Sequence, residues 1–146
     1  MPFWPRCKAV ALGLALFIPA PALAQSPPRG PSAEGLVLKL LLGYDGKAQP
    51  QPESWPLVPR LRDALNRTDL GSDVLTGDRN AALTGIIVDA AELLDARRAR
   101  VLARYRLDGA ERSVIIDLDA NEGAWLITDI RPSSGPSFRQ MLRISR

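Results

Sequence analysis

The chain has 146 residues, with 19 Lys and Arg against 16 Asp and Glu, no histidine, and a single cysteine, Cys7. Without histidine, and with its only thiol near the N-terminus, the sequence excludes Ser-His-Asp and Cys-His nucleophiles, thiol redox chemistry and an ordinary zinc site. It also contains no GxGxxG or Walker-type phosphate loop.

Met1 to Ala24 carries the three parts of a secretory signal peptide. Arg6 and Lys8 form a positive n-region, Ala9 to Ile18 an apolar run, and Ala22-Leu23-Ala24 a small-x-small cleavage site. The run is shorter than the roughly 20 residues a membrane span requires, and Pro19 and Pro21 close it. Cleavage is therefore expected before Gln25, with no transmembrane segment in the mature protein. Cys7 precedes the apolar run and cannot carry a lipid after cleavage. Arg6 and Lys8 leave with the leader and no acid does, so the mature chain carries 17 basic and 16 acidic residues. A charge of +1 lacks the dense basic face of a nucleic-acid partner.

Gln25 to Pro31, with three prolines, reads as a disordered linker. A single domain is expected over residues 32–146, a size that buries a core without disulfide staples. Ser32 is placed to cap a first helix through Leu42, apolar from Leu36 apart from Lys39, and so expected to be enclosed. A strand over Val37–Leu40 is the other reading of this short apolar run. After the Pro-rich Gln49 to Glu53, Ser54 is the expected cap of a second helix. There Leu57, Val58, Leu61, Ala64 and Leu65 share one face, with Pro56 in the first turn. Thr68 to Ala82 reads as a polar loop.

From Leu83 the period changes to that of strands, expected at Leu83–Leu94, Arg98–Leu107, Arg112–Leu118 and Ala124–Ile130. Gly85 marks a bend or bulge in the first. Asp108-Gly109 is a two-residue hairpin signal, and Asn121-Glu122-Gly123 occupies the next turn. Val114, Ile116 and Leu118 share a face. Ala124, Leu126, Thr128 and Ile130 are expected opposite Trp125, Ile127 and Asp129. Ser137 then caps a short helix that turns Phe138, Met141 and Leu142 inward. The pattern is an α+β fold: N-terminal helices packed on a curved four-stranded antiparallel meander, with a short C-terminal helix.

Leu41, Leu42 and Tyr44 closing the first helix, Trp125-Leu126-Ile127-Thr128-Asp129-Ile130 in the last strand, and the following Ser137-Phe138-Arg139-Gln140-Met141-Leu142 carry a resemblance. The chain resembles the cystatin-like α+β cone of the nuclear-transport-factor-two-like superfamily. More narrowly, it is similar to the bacterial exported domain-of-unknown-function family 3828. The resemblance implies an envelope protein, periplasmic or secreted, of unassigned role. It brings no catalytic residue, because the superfamily enzymes' His/Asp arrangement cannot form here. By the same analogy, another reading is a purely structural or oligomerising domain, with the outer sheet face as the place where two copies pair into a homodimer.

Asp117, Asp119 and Asn121 echo the first positions of a calcium loop, but Glu122 replaces the required glycine and Thr128 the closing glutamate. No metal or cofactor is therefore expected. Asp117 and Asp129, on neighbouring strands, are candidates for an acid–base pair with Tyr44 or Tyr105; ion pairing with Arg104, Arg106 or Arg131 is the plainer use of the same carboxylates. Tyr44, Trp55, Tyr105 and Trp125 are candidates to line a ligand pocket at the open end of the cone, or else to fill the core. The expected function is a non-enzymatic binding or accessory module for a protein or small molecule of the envelope. The alternative is a small isomerase, dehydratase or hydrolase built on Asp117, Asp129, Tyr44 and Tyr105.

Overall fold

The computed structural model describes residues 30–77 and 80–145. The leader over Met1–Ala24, its cleavage site and the linker up to Arg29 lie outside the described residues.

Helix α1 spans Ala33–Leu42, so the strand reading of Val37–Leu40 falls away. Ser32 Oγ accepts from the Gly35 N–H at 3.1 Å, which satisfies an otherwise orphan donor of the first turn. Ala33, Leu36, Val37, Leu40 and Leu41 make one buried stripe that packs on the sheet. The helix is not enclosed all round: Leu38 is 40% exposed and Leu42 59%, because the sheet covers one side only.

The second helix starts later than its pattern suggests. Pro52–Ser54 is a 3-10 turn, and α2 runs from Pro59 to Leu65. Two prolines set this boundary. Pro59 takes the first helical position and forces Val58 before it into extended backbone, ψ 149°. Leu57 and Val58 are thereby free to bridge the sheet. Val58 N–H donates to Ile127 O at 3.0 Å, and Ile127 N–H to Pro56 O at 2.7 Å. Leu61, Ala64 and Leu65 bury the apolar face.

The sheet is curved and antiparallel, with strands β1 (Leu83–Val88), β2 (Glu92–Leu93), β3 (Arg98–Leu107), β4 (Ala110–Asn121) and β5 (Ala124–Pro132). The order is β1-β3-β4-β5, with β2 also pairing β3. The expected first strand is thus two pieces. Glu34 interrupts it by accepting the Ala91 N–H at 2.8 Å, and the pairing of β1 slips between Thr84 and Ile87, where Gly85 has φ +58°. Asp108-Gly109 and Glu122-Gly123 have positive φ at both residues, the twist a tight hairpin needs.

Alternation holds along β3 and β4: Ala99, Val101, Ala103, Tyr105, Leu107, Val114, Ile116 and Leu118 all face the core. On β5 it fails. Asp117 pairs with Asp129 but Leu118 with Ile127, so Thr128 is an extra residue. That bulge puts Ile127 and Ile130, expected on opposite faces, into the same core, each 0% exposed.

Helix α3 (Phe138–Met141) closes the far side. Ser137 and Gln140 form a reciprocal capping box. Phe138 inserts against Trp55 with ring centroids 5.7 Å apart, and one contiguous apolar cluster joins α1, α2, the inner sheet face and α3. Among the described residues, no helix is long and apolar enough to cross a membrane.

Candidate functional site

Two clefts, on opposite faces of the sheet, divide the candidate residues between them. On the inner side, the chain after α2 makes a tight loop in which Asp73 and Gly77 exchange backbone hydrogen bonds at 2.9 and 3.0 Å. Gly77 has φ +68°, a conformation that favours glycine. The loop tucks Asp73 into the protein, 7% exposed. Its Oδ1 accepts the N–H of Leu75 at 2.8 Å, the N–H of Thr76 at 2.9 Å and Thr76 Oγ1 at 3.1 Å. Its Oδ2 accepts the Tyr44 hydroxyl at 2.9 Å.

This is a satisfied buried carboxylate, tying α1's C-terminal end to a loop 29 residues away. Burial pushes the Tyr44 hydroxyl far above its usual range, and the Asp73 charge adds to this, so Tyr44 stays protonated. Tyr105, on β3, is 3% exposed. Burial raises its pKa as well, the Arg112 guanidinium opposes the rise, and Asp73 adds to it.

Beside this cluster opens a cleft of about 260 Å³ whose wall includes Asp73, Thr76, Tyr105, Leu107, Arg112 and Met141. Neither the Tyr105 hydroxyl nor the exposed Arg112 guanidinium has a hydrogen-bond or ion-pair partner among the described residues.

On the outer face, Asp117 sits between two arginines. Arg100 Nε lies 2.8 Å from its Oδ1 and Arg131 Nη2 2.8 Å from its Oδ2. Of the three arginines expected as its partners, only Arg131 is one; Arg104 pairs with Asp89 at 2.8 Å and Arg106 faces Glu111 at 3.7 Å. Arg100 stands directly across from Asp117 in the β3–β4 register, which is the cross-strand geometry opposite charges favour.

Asp129 lies beside Asp117 in register. Its Oδ1 accepts the N–H of Ile130 at 2.9 Å and of Arg139 at 3.1 Å. Burial pushes its carboxyl above the usual carboxylate range; the two N–H donors and the Arg139 charge pull the other way, and Asp117 adds to the rise. These side chains line an open cleft of about 460 Å³ together with Thr128, Ser137 and Gln140.

The sequence candidates are therefore sorted by face. Tyr44 and Tyr105 come together, but with Asp73. Asp117 and Asp129 come together on the other side of the sheet, so no carboxylate of that pair reaches either tyrosine. The four aromatics do not line one pocket. Trp55 is 5% exposed against Phe138, and Trp125, half-buried, borders a separate apolar hollow with Pro31, Ala33, Ala91 and Leu93.

Sequence reasoning missed Asp73 and Arg112. The signal for Asp73 was present, since Asp followed two and three residues on by free backbone donors is a turn-forming pattern. Asp119, once weighed as a calcium ligand, approaches Arg97 at 3.9 Å instead. Among the described residues no group of three or more His, Cys, Asp or Glu could hold a metal ion.

No protein-family model, curated protein or solved structure matches this chain.

Proposed function

We propose that the chain is an exported bacterial envelope protein, periplasmic or secreted, that binds a small ligand and performs no catalysis. In this reading its helices and curved sheet form the cystatin-like cone of the nuclear-transport-factor-two-like superfamily, in the manner of exported family 3828, and the leader is removed before Gln25. The observation that carries the binding role is the division of labour in the cleft at Tyr105. Groups that could move a proton are spent: Asp73 accepts four hydrogen bonds and Tyr44 is held protonated. Groups that can recognise a ligand are free, namely the Tyr105 hydroxyl and the Arg112 guanidinium, both donors, above the apolar walls of Leu107 and Met141. A ligand with an apolar body and a hydrogen-bond acceptor complements this lining.

The enzyme alternative needs a carboxylate beside Tyr44 or Tyr105. Among the described residues the carboxylate found there is Asp73, which serves as an anchor. The test is to incubate the mature protein with a small-molecule extract of the bacterial envelope, isolate the complex by gel filtration and identify bound compounds by mass spectrometry. Wild type should retain a compound that Tyr105→Phe and Arg112→Ala each lose. Retention by both variants, or by neither wild type nor variants, would remove this reading.

A further inference from the structure

The outer cleft carries an inference that does not draw on the Tyr105 site. Arg131 Nε and Nη2 are buried, and neither has a hydrogen-bond partner among the described residues. Nη2 is 2.8 Å from Asp117 Oδ2, close enough for Coulomb attraction but out of line for a hydrogen bond. Nε and Nη2 form one edge of the guanidinium. That edge, with two parallel N–H vectors, is the one that grips a carboxylate with two aligned hydrogen bonds. Buried donors left unmade are costly, so such an edge takes either a water or the acceptor group of a ligand.

The charges around it favour the second case. Asp117 is a single carboxylate shared by two arginines, and its Oδ1 is already engaged by Arg100 Nε. Asp129 spends Oδ1 on two backbone N–H groups. Arg139 Nη2 donates to the Ser145 carbonyl at 2.8 Å and has no carboxylate within ion-pair distance among the described residues. The cleft thus holds Arg100, Arg131 and Arg139 against Asp117 and Asp129, an excess of one positive charge. The Arg131 side chain is 36% exposed and lines the cleft, and a rotation about its long stem brings the buried Nε–Nη2 edge round to the opening. Thr128, Ser137 and Gln140 supply neutral hydrogen-bonding groups around the opening.

We propose that this cleft is a binding site for a carboxylate-bearing small molecule, whose carboxylate is held in bidentate fashion by the Nε–Nη2 edge of Arg131. One carboxylate of the ligand offsets the excess positive charge of the cleft. Arg100 and Arg139 flank it, and Asp117, 2.8 Å from Nη2, is the internal carboxylate that the ligand displaces from this edge.

The test uses the mature protein and three probes: sodium succinate, inorganic phosphate, and sodium chloride at matched ionic strength. The readout is the arginine Nε–Hε cross-peaks of the nitrogen–proton NMR spectrum. Succinate should shift the Arg131 peak saturably, while chloride leaves it in place. Arg131→Lys keeps the charge but cannot form the fork, so its affinity for succinate, followed by the backbone amides of Thr128 to Arg131, should fall at least about tenfold. Asp117→Asn removes the internal competitor and should tighten succinate binding. An Arg131 peak that moves equally in chloride, or succinate binding unchanged in Arg131→Lys, overturns the proposal. So does phosphate binding more tightly than succinate, which would make the site one for phosphates. The wild-type titration stands even if a variant does not fold.

Discussion

Replacing Tyr44 with phenylalanine removes one oxygen and leaves the ring, so the change isolates the hydrogen bond to Asp73. That bond is 2.9 Å long, between residues 2% and 7% exposed, and its acceptor is charged. Charge-assisted bonds of this kind contribute about 1.5–3 kcal/mol, and the loss is at the upper end when the abandoned acceptor stays buried. Asp73 keeps three donors on Oδ1, which holds the cost near 2 kcal/mol rather than beyond it. For a domain of this size 1 kcal/mol moves the melting temperature by about 3–5 °C, so the variant should melt roughly 6–10 °C lower at pH 7.

A second signature lies in alkali. The Tyr44 pKa is raised in the folded state, so folding favours the protonated hydroxyl. The stability this contributes is complete below the unfolded tyrosine value near pH 10 and is lost as pH climbs above it, at about 1.4 kcal/mol per pH unit. Tyr44→Phe has no such group and should lose less stability between pH 10 and 11, with Tyr105 giving a shallower slope in both proteins. Urea unfolding at pH 7, 9, 10 and 11 measures both effects. A variant within about 0.5 kcal/mol of wild type at pH 7, or one with the same alkaline slope, would refute the clamp between α1 and the Asp73 loop.

Two further changes probe other parts of the molecule. Asp129→Asn preserves the Oδ1 acceptor for Ile130 and Arg139 but removes a charge that burial disfavours. Because the folded carboxyl pKa is raised, its stabilising contribution is greatest below the unfolded value near pH 4 and is lost as pH rises through the folded value. The variant should therefore melt higher than wild type at pH 7 and equally at pH 3.5; a lower melting temperature at pH 7 contradicts the assignment. Phe138→Ala empties a 0% exposed position against Trp55 and should cost about 3–5 kcal/mol by urea unfolding. A loss below 1 kcal/mol would show that α3 is not part of the core.

The strands were legible because their signals are local. Alternation fixed β3 residue for residue, and Asp108-Gly109 fixed its hairpin. Ser32 and Ser137 announced their helices through side-chain oxygens that need only three residues to act. What escaped was non-local. The amphipathic spacing around Leu57 was real, but Pro59 and a partner on β5 claimed Leu57 and Val58 for extended backbone. The Thr128 bulge is invisible to a period of two, and it reverses the facing of one half of β5 relative to the other. At the site, Tyr44 and Tyr105 both lie near Asp73. Their acid was missed because Asp73 lies in a segment that reads as an ordinary polar loop, and only the folded chain brings it to Tyr44.

The strap formed by Pro56 to Val58 has a further effect on how copies of this protein can meet. A sheet ends in strands whose outward N–H and C=O groups invite another chain to extend it. Here Ile127 has both groups taken by the strap, Ile130 N–H donates to Asp129, and Pro132 has none to give. At the opposite margin the slip at Gly85 and the two-residue β2 break the ribbon into short lengths. Neither margin presents the straight, vacant template that amyloid growth or strand exchange requires. Two copies that met at either margin would therefore have to rely on side-chain contacts, which salt and substitution can tune, rather than on extending one ribbon.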